Sequence, residues 1–92
     1  MDKLNKVRNI ADNLGLDCEI YISNRKNKKY DCIYDNKKIS FGDSRYQDYL
    51  DHHNRRRRLN YRKRHSKIYT KNGTKAIDIP YSPAFLSYYL LW

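Results

Sequence analysis

Acidic residues are missing from one long stretch of this 92-residue chain. Residues 52–75 contain ten Lys and Arg and no Asp or Glu, whereas residues 1–51 are nearly balanced, with ten basic and nine acidic side chains. The stretch therefore carries charge equal to the whole formal net charge of +10. Such a concentration of one sign is typical of a surface that binds a polyanion, and the Arg guanidinium matches the geometry of phosphate oxygens.

Cysteine and long apolar runs are also scarce. Two cysteines, Cys18 and Cys32, form no disulfide framework, and no CxxC or HxxxH spacing indicates a metal site. The N-terminal residues lack the apolar run of a signal peptide, and the longest apolar stretch, residues 88–92, is far too short to span a bilayer. We therefore expect an intracellular, reduced protein in which both cysteines are packing residues, with no metal and no cofactor.

The apolar content is low, at 39% of residues, and Tyr supplies ten of them. A chain of this length makes one small domain, here residues 1–92, with a thin core. Such a core gains stability from a partner, either a nucleic acid, another protein or a second copy of the chain.

The first half of the chain predicts a helix followed by a three-stranded antiparallel meander. Apolar residues recur at three- and four-residue spacing over residues 3–14, behind a capping Asp2 and before Gly15. Alternation then predicts strands over residues 16–22, 30–34 and 39–41, with a tight turn at residues 35–38. The fold class is therefore α+β.

The second half predicts a long basic helix and a short aromatic one. The basic helix is expected over residues 52–68, with Asp51 as its N-cap and residues 43–51 as a connector. An Asn72-Gly73 turn follows, and Ser82 with Pro83 opens a C-terminal helix over residues 84–92. The basic helix is polar on nearly all sides, so its own protein holds it weakly and an anion would relieve its repulsion.

Three segments, FGDSRYQDYLDHH, NYRKRH and SPAFLSYYLLW, resemble short basic proteins of nucleocytoplasmic large DNA viruses, above all the mimivirus-like group. The chain departs from that pattern at Asn54, where Asp is usual, and at Phe85-Leu86, where Trp or Tyr is common. The resemblance implies a viral protein and transfers no biochemical activity. The matching residues are Lys28, Lys29, Tyr30, Tyr34, Phe41, Gly42, Tyr46, Asp48, Tyr49, His52, Arg57, Tyr61, Arg64, His65, Ser82, Pro83, Leu90, Leu91 and Trp92.

The basic helix is the candidate nucleic-acid site. Its phosphate-binding side chains would be Arg55, Arg56, Arg57, Arg58, Arg62, Lys63, Arg64 and Lys67, and Tyr61 would stack on a base. No residue occupies a recognisable base-reading position, so we expect low sequence specificity for DNA or RNA. The alternatives are a solvated charged face and a localisation signal.

Three histidines, His52, His53 and His65, invite comparison with His-Asn-His nucleases. Acidic residues are too sparse around them for such a metal cage, and structural hydrogen bonds, Asp48 with His52 or Tyr49 with His65, are the better interpretation. No nucleophile–base pair is recognisable either, so we predict no enzyme and no small-molecule substrate.

The aromatic C-terminal segment has two main interpretations. It either covers the sheet as a core helix, or it docks into a partner protein through Phe85, Tyr88, Tyr89, Leu91 and Trp92. Attachment to a membrane surface is the weaker option, because basic residues do not flank the segment closely.

These observations predict a non-enzymatic viral protein that binds nucleic acid through residues 52–75, in genome packaging or organisation. The rival prediction is a minor capsid or cement protein, whose basic helix pairs with acidic capsid surfaces while the aromatic tail docks into a neighbour. Both place the protein in the virion or in the viral factory of the host cytoplasm.

Overall fold

Four helices and three strands make up the fold in the computed structural model, which describes residues 2–92. The element order is α1 (Lys3–Asn13), β1 (Glu19–Ile22), β2 (Lys28–Tyr34), β3 (Lys37–Asp43), α2 (Tyr49–His52), α3 (Arg55–His65) and α4 (Pro83–Leu90), with a 3-10 turn at Ala76–Asp78 before α4. This order confirms the α+β prediction, with an N-terminal helix and a three-stranded antiparallel sheet followed by helices.

Helix α1 begins and ends where its sequence pattern predicts. The Asp2 carboxylate accepts a hydrogen bond from the Asn5 amide at 2.8 Å, which caps the N-terminus. Gly15 has a φ of +74°, as a residue just past a helix end commonly does. Val7 and Ala11 are the buried residues of the helix, and both belong to the core that includes residues of the sheet.

The strands pair in the order β1-β2-β3, and their register places one apolar face toward α1 and α4. Ile20 pairs with Cys32, and Tyr30 with Phe41. Asp35 and Asn36 both have positive φ, which suits the two-residue turn between β2 and β3. Strand β2 starts at Lys28 and β3 spans Lys37–Asp43, so both are longer than predicted.

Strand β1 is shorter than predicted, because residues 16–18 do not pair with β2. The Asp17 amide instead donates a hydrogen bond to the Tyr81 hydroxyl at 2.8 Å, on a segment 64 residues further along the chain. Ile22, at the end of this edge strand, is 70% exposed.

The basic helix starts later than predicted, at Arg55, and a separate short helix, α2, occupies the end of the predicted connector. His53 adopts the left-handed conformation with a φ of +51° and ends α2, and Asn54 then caps α3 by accepting from the Arg57 amide at 3.1 Å. Asp51 is therefore not the N-cap of the basic helix, since its carboxylate accepts from the Asp48 amide at 3.0 Å. Helix α3 also ends three residues early, at His65.

Helix α4 covers the sheet, as the core-helix interpretation of the C-terminal segment predicts. Ser82 caps it by accepting from the Phe85 amide at 3.1 Å, and Pro83 occupies its first turn. Leu86, Leu90 and Leu91 are at most 1% exposed and join the core with residues of α1 and the sheet.

Cys32 is fully buried in this core, and Cys18 is half-buried beside it. Burial raises the pKa of the Cys32 thiol to about 12, so it stays protonated. Both cysteines are free and serve as packing residues, as predicted. Within residues 2–92, no helix is long and apolar enough to cross a membrane.

Candidate nucleic-acid interface

Helix α3 exposes most of its positive charge to solvent. No side chain of the helix is buried, and the exposed basic residues between Arg55 and Lys67 are Arg55, Arg56, Arg57, Lys63, Arg64 and Lys67. Among the described residues, no basic side chain of residues 52–75 forms an ion pair with a carboxylate; the ion pairs involve Lys3, Lys29, Lys38 and Arg45. The charge of this helix is therefore available to an external anion.

Two arginines of the predicted phosphate set have structural contacts instead. The main-chain oxygen of Trp92 accepts hydrogen bonds from the Nε of Arg58 at 2.6 Å and of Arg62 at 3.3 Å. The guanidinium of Arg58 lies 4.7 Å from the Tyr49 ring centroid, and that of Arg62 lies 4.7 Å from the Tyr88 ring. Both side chains thus hold α3 against α2 and α4.

Tyr61 is not free to stack on a base, which corrects the role predicted for it. Its ring lies parallel to the Trp92 ring at 4.1 Å between centroids, and the His65 ring stacks on it at 3.9 Å. Burial raises the pKa of the Tyr61 hydroxyl to about 12. The Trp92–Tyr61–His65 stack therefore attaches the polar helix α3 to Trp92, which packs against the core.

The histidines have local partners that differ from the predicted ones. His52 Nδ1 accepts a hydrogen bond from the Asn54 amide at 2.9 Å, and its ring lies 5.3 Å from that of Trp92. Asp48 does not pair with His52. Its Oδ2 binds the ammonium groups of Lys3 and Lys29 at 2.8 and 2.7 Å, and its Oδ1, like His52 Nε2, is buried without a hydrogen-bond partner among the described residues. Burial, followed by the charge of Arg57, lowers the pKa of His52.

The residues proposed to dock a partner mostly contact the chain itself. Leu91 is buried in the core, so the docking role predicted for it is wrong in this fold. Trp92 is half-buried in the aromatic stack, and Tyr88 lies beneath the Arg62 guanidinium. Phe85 and Tyr89 are half-buried, and their ring centroids lie 4.9 Å apart.

A cleft of about 750 Å³ lies between α3 and the neighbouring sheet and α4, and we call it the α3 cleft. Helix α3 forms one wall, the start of β2 and the connector after β3 form the other, and α4 with Leu91 forms the floor. Its lining residues are Lys28, Lys29, Gly42, Asp43, Tyr46, Gln47, Asp48, Arg57, Asn60, Tyr61, Arg64, His65, Ile68, Pro83, Ala84, Ser87, Leu91 and Trp92.

Both carboxylates that line the α3 cleft are neutralised by basic neighbours. Asp43 accepts two hydrogen bonds from the Arg45 guanidinium at 3.0 and 2.8 Å, which lower its pKa to about 2. Asp48, which is 1% exposed, binds Lys3 and Lys29. The unpaired charges that remain in the cleft are those of Lys28, Arg57 and Arg64, all positive.

Sequence reasoning found one wall of this cleft and missed the other. Arg57, Tyr61 and Arg64 belong to the predicted nucleic-acid site, and all three line the cleft. Lys28 and Tyr46 were absent from the predicted site. The sequence signals were the adjacent Lys28 and Lys29 and the aromatic Tyr46, whose connector was expected to pack under the basic helix, and neither signal indicates a ligand-binding role.

Comparison with known proteins places the chain in a family. Residues 18–65, more than half of the chain, match the family of unknown function DUF5754. The chain belongs to that family. The match includes the sheet, α2 and α3, and therefore the Lys28, Tyr46, Arg57 and Arg64 positions of the cleft.

A mimivirus protein is similar to this DUF5754 member over most of its length. The chain is 37% identical over 81 residues to the uncharacterized protein L851 of Acanthamoeba polyphaga mimivirus, covering 83% of this chain and 81% of the relative. The relative confirms the resemblance to proteins of mimivirus-like giant viruses, while the finer motif pattern stays a prediction. No solved structure matches the chain.

Proposed function

We propose that this viral protein binds nucleic acid through the phosphates, without catalysing a reaction, and serves genome packaging or organisation in the virion or the viral factory. The observation that carries the proposal is the run of ten basic side chains over residues 52–75, none of which has an acidic partner among the described residues. Six of these side chains lie exposed on or just after α3, so they can reach a phosphate backbone without unfolding the helix.

The rival proposal, a minor capsid or cement protein, has less support. Its argument drew on an aromatic tail that is free to dock into a neighbouring protein. Leu91 is buried instead, and Trp92 stacks on Tyr61 within the same chain. An exposed basic surface remains, and its Arg side chains can bind phosphate in the same bidentate geometry in which they bind carboxylate.

Fluorescence anisotropy of a labelled duplex of about 20 base pairs, measured across a range of salt concentrations, tests the proposal. If about six phosphates are engaged, the logarithm of the association constant should fall with a slope of about −5 against the logarithm of the salt concentration. The variant R55Q/R56Q/K63Q/K67Q should bind more weakly and with a shallower slope. It leaves Arg58 and Arg62 in place, because these two hold α3 on the protein.

A matched control removes the same number of charges from the other half of the chain. Lys6, Arg25, Lys26 and Lys37 are exposed and form no ion pair with the described residues, so K6Q/R25Q/K26Q/K37Q changes net charge equally. It should retain most of the affinity. Equal losses in both variants would reduce the interaction to non-specific attraction by net charge and would contradict a dedicated α3 surface.

A further inference from the structure

Tyr46 is a large aromatic side chain that the fold leaves uncovered at the mouth of the α3 cleft. It is 66% exposed, and it also lines a second, shallower depression that shares Lys28, Lys29 and Gln47 with the cleft. The Arg45 guanidinium lies 5.8 Å from the ring centroid, and most of the ring remains accessible. An exposed aromatic ring beside unpaired cations is the arrangement on which single-stranded nucleic acids stack.

The polar groups around Tyr46 complement a nucleotide. Arg57 and Arg64 from α3 and Lys28 from β2 supply positive charge that the paired Asp43 and Asp48 do not cancel. Gln47 and Asn60 are exposed amides on the cleft walls, and each offers donors and acceptors to the edge of a base. The apolar floor, which includes Ala84 and Leu91, suits a flat ring.

We propose that the α3 cleft binds an unpaired nucleotide of a single strand, with the base against Tyr46 and its flanking phosphates on Lys28, Arg57 and Arg64. The inference rests on the proposed nucleic-acid function and specifies its ligand. A cleft of about 750 Å³ is in the size range of small-molecule sites and admits one base with its sugar and phosphate. A duplex keeps its bases stacked and paired, so it reaches only the outer face of α3.

Two faces of the same helix provide the decisive comparison. Arg57 and Arg64 line the cleft, whereas Arg56 and Lys63 are exposed and do not line it. The variants R57Q/R64Q and R56Q/K63Q each lose two charges from α3, so their net charges stay equal. Affinities for a labelled single strand of about 12 nucleotides, and for the duplex of the same sequence, are measured by anisotropy at one salt concentration.

The wild-type protein should prefer the single strand over the duplex. R57Q/R64Q should lose about tenfold or more in affinity for the single strand and should abolish that preference. R56Q/K63Q should lower the affinities for the single strand and for the duplex by a similar, smaller factor, and it should keep the preference for the single strand.

A second pair of variants isolates the aromatic contact. Y46L should lower single-strand affinity about tenfold, which is the usual scale for loss of one base–aromatic stack, and should leave duplex affinity unchanged. Y69L is the matched control, because Tyr69 is similarly exposed, at 58%, and does not line the cleft.

The outcomes separate the inference from the function on which it rests. Equal single-strand and duplex affinities, with equal losses in R57Q/R64Q and R56Q/K63Q, would overturn the cleft inference and leave phosphate binding by α3 standing. Equal effects of Y46L and Y69L would overturn the stacking role of Tyr46. Failure of the wild-type protein to bind either ligand at low salt would overturn the proposed function itself.

Discussion

At Gly42 the backbone of the sheet lies close to α4. Gly42 has a φ of +79°, and its amide donates a hydrogen bond to the Ser87 hydroxyl at 3.1 Å. A Cβ built at this position would lie 2.9 Å from Leu91 Cδ1 and 3.1 Å from the Lys29 Cβ. Both the dihedral angle and the lack of space therefore require glycine here, on the floor of the α3 cleft.

Gly42→Ala should lower the free energy of unfolding by about 2–4 kcal/mol, because it combines a strained dihedral angle with overpacking against α4. Urea denaturation followed by circular dichroism measures the change. Gly73→Ala is the matched control, since Gly73 has a φ of +81° but no atom within 4 Å of a built Cβ. The control should lose only the strain contribution, about 1 kcal/mol. Equal losses in the two variants would mean that α4 yields to the added methyl group.

At the scale of the element, α3 depends on a few contacts from one side. The Trp92–Tyr61–His65 stack and the bonds from Arg58 and Arg62 to the Trp92 carbonyl attach a helix that buries no residue of its own. Burial of His65, followed by the charge of Arg64, lowers the pKa of that imidazole. Protonation of His65 is therefore disfavoured in the folded state.

Because the pKa of His65 is lowered, the attachment of α3 to the rest of the protein should weaken in acid. The unfolded chain binds a proton at His65 near pH 6.5, the folded chain only at lower pH, so folding stability is complete above about pH 6.5 and falls as the pH drops below it. Thermal melts between about pH 7.5 and pH 5.5 should show this decline. His65→Phe retains an aromatic ring against Tyr61 without a titrating group, and its decline should be shallower, because only the similarly depressed His52 remains. An unchanged pH profile in His65→Phe would contradict the assignment.

The elements differ in how far the sequence predicts them, for physical reasons. The bounds of α1 follow from its apolar periodicity and the cap Asp2, and the start of α4 follows from the cap Ser82, signals that act within three or four residues. Helix α4 has no such periodicity, and it ends at Leu90, two residues before its predicted end. The α2–α3 break escaped prediction because residues 51–58 are all polar, so no apolar pattern shows where one helix ends and the next begins. The α3 cleft escaped because it joins Lys28, Tyr46 and Arg57, which only tertiary packing brings together.

At the scale of the whole molecule, charge and core lie in separate parts of the structure. The buried residues come from α1, the sheet and α4, while α3 carries unpaired charge on the outside of that core. The carboxylates of Asp48 and Asp51 pair with Lys3 and Lys29 and so link α1, β2 and α2. These acidic side chains thus pair with lysines of the N-terminal half, and the repulsion among the basic side chains of α3 remains uncompensated.

Salt should therefore stabilise this protein, in contrast to one held by surface ion pairs. Raising the NaCl concentration from about 20 to about 300 mM shortens the Debye length from roughly 20 Å to about 6 Å and screens repulsion among the α3 cations. We expect the melting temperature to rise by about 4–8 °C, which corresponds to about 1 kcal/mol for a chain of this size. The exposed ion pair between Arg45 and Asp43 opposes this trend only weakly.

The four-charge variants locate the repulsion that salt relieves. R55Q/R56Q/K63Q/K67Q should melt higher than the wild-type protein at low salt and respond less to added NaCl, because it removes neighbouring like charges from one helix. K6Q/R25Q/K26Q/K37Q has the same net charge and should keep a salt response close to that of the wild type, since its charges are dispersed. A melting temperature that falls with salt, or equal responses in both variants, would contradict a repulsion concentrated on α3. Under the expected result, a bound polyanion would relieve the charge repulsion within the basic helix of the free protein. Nucleic-acid binding and folding stability would then be coupled through the same side chains.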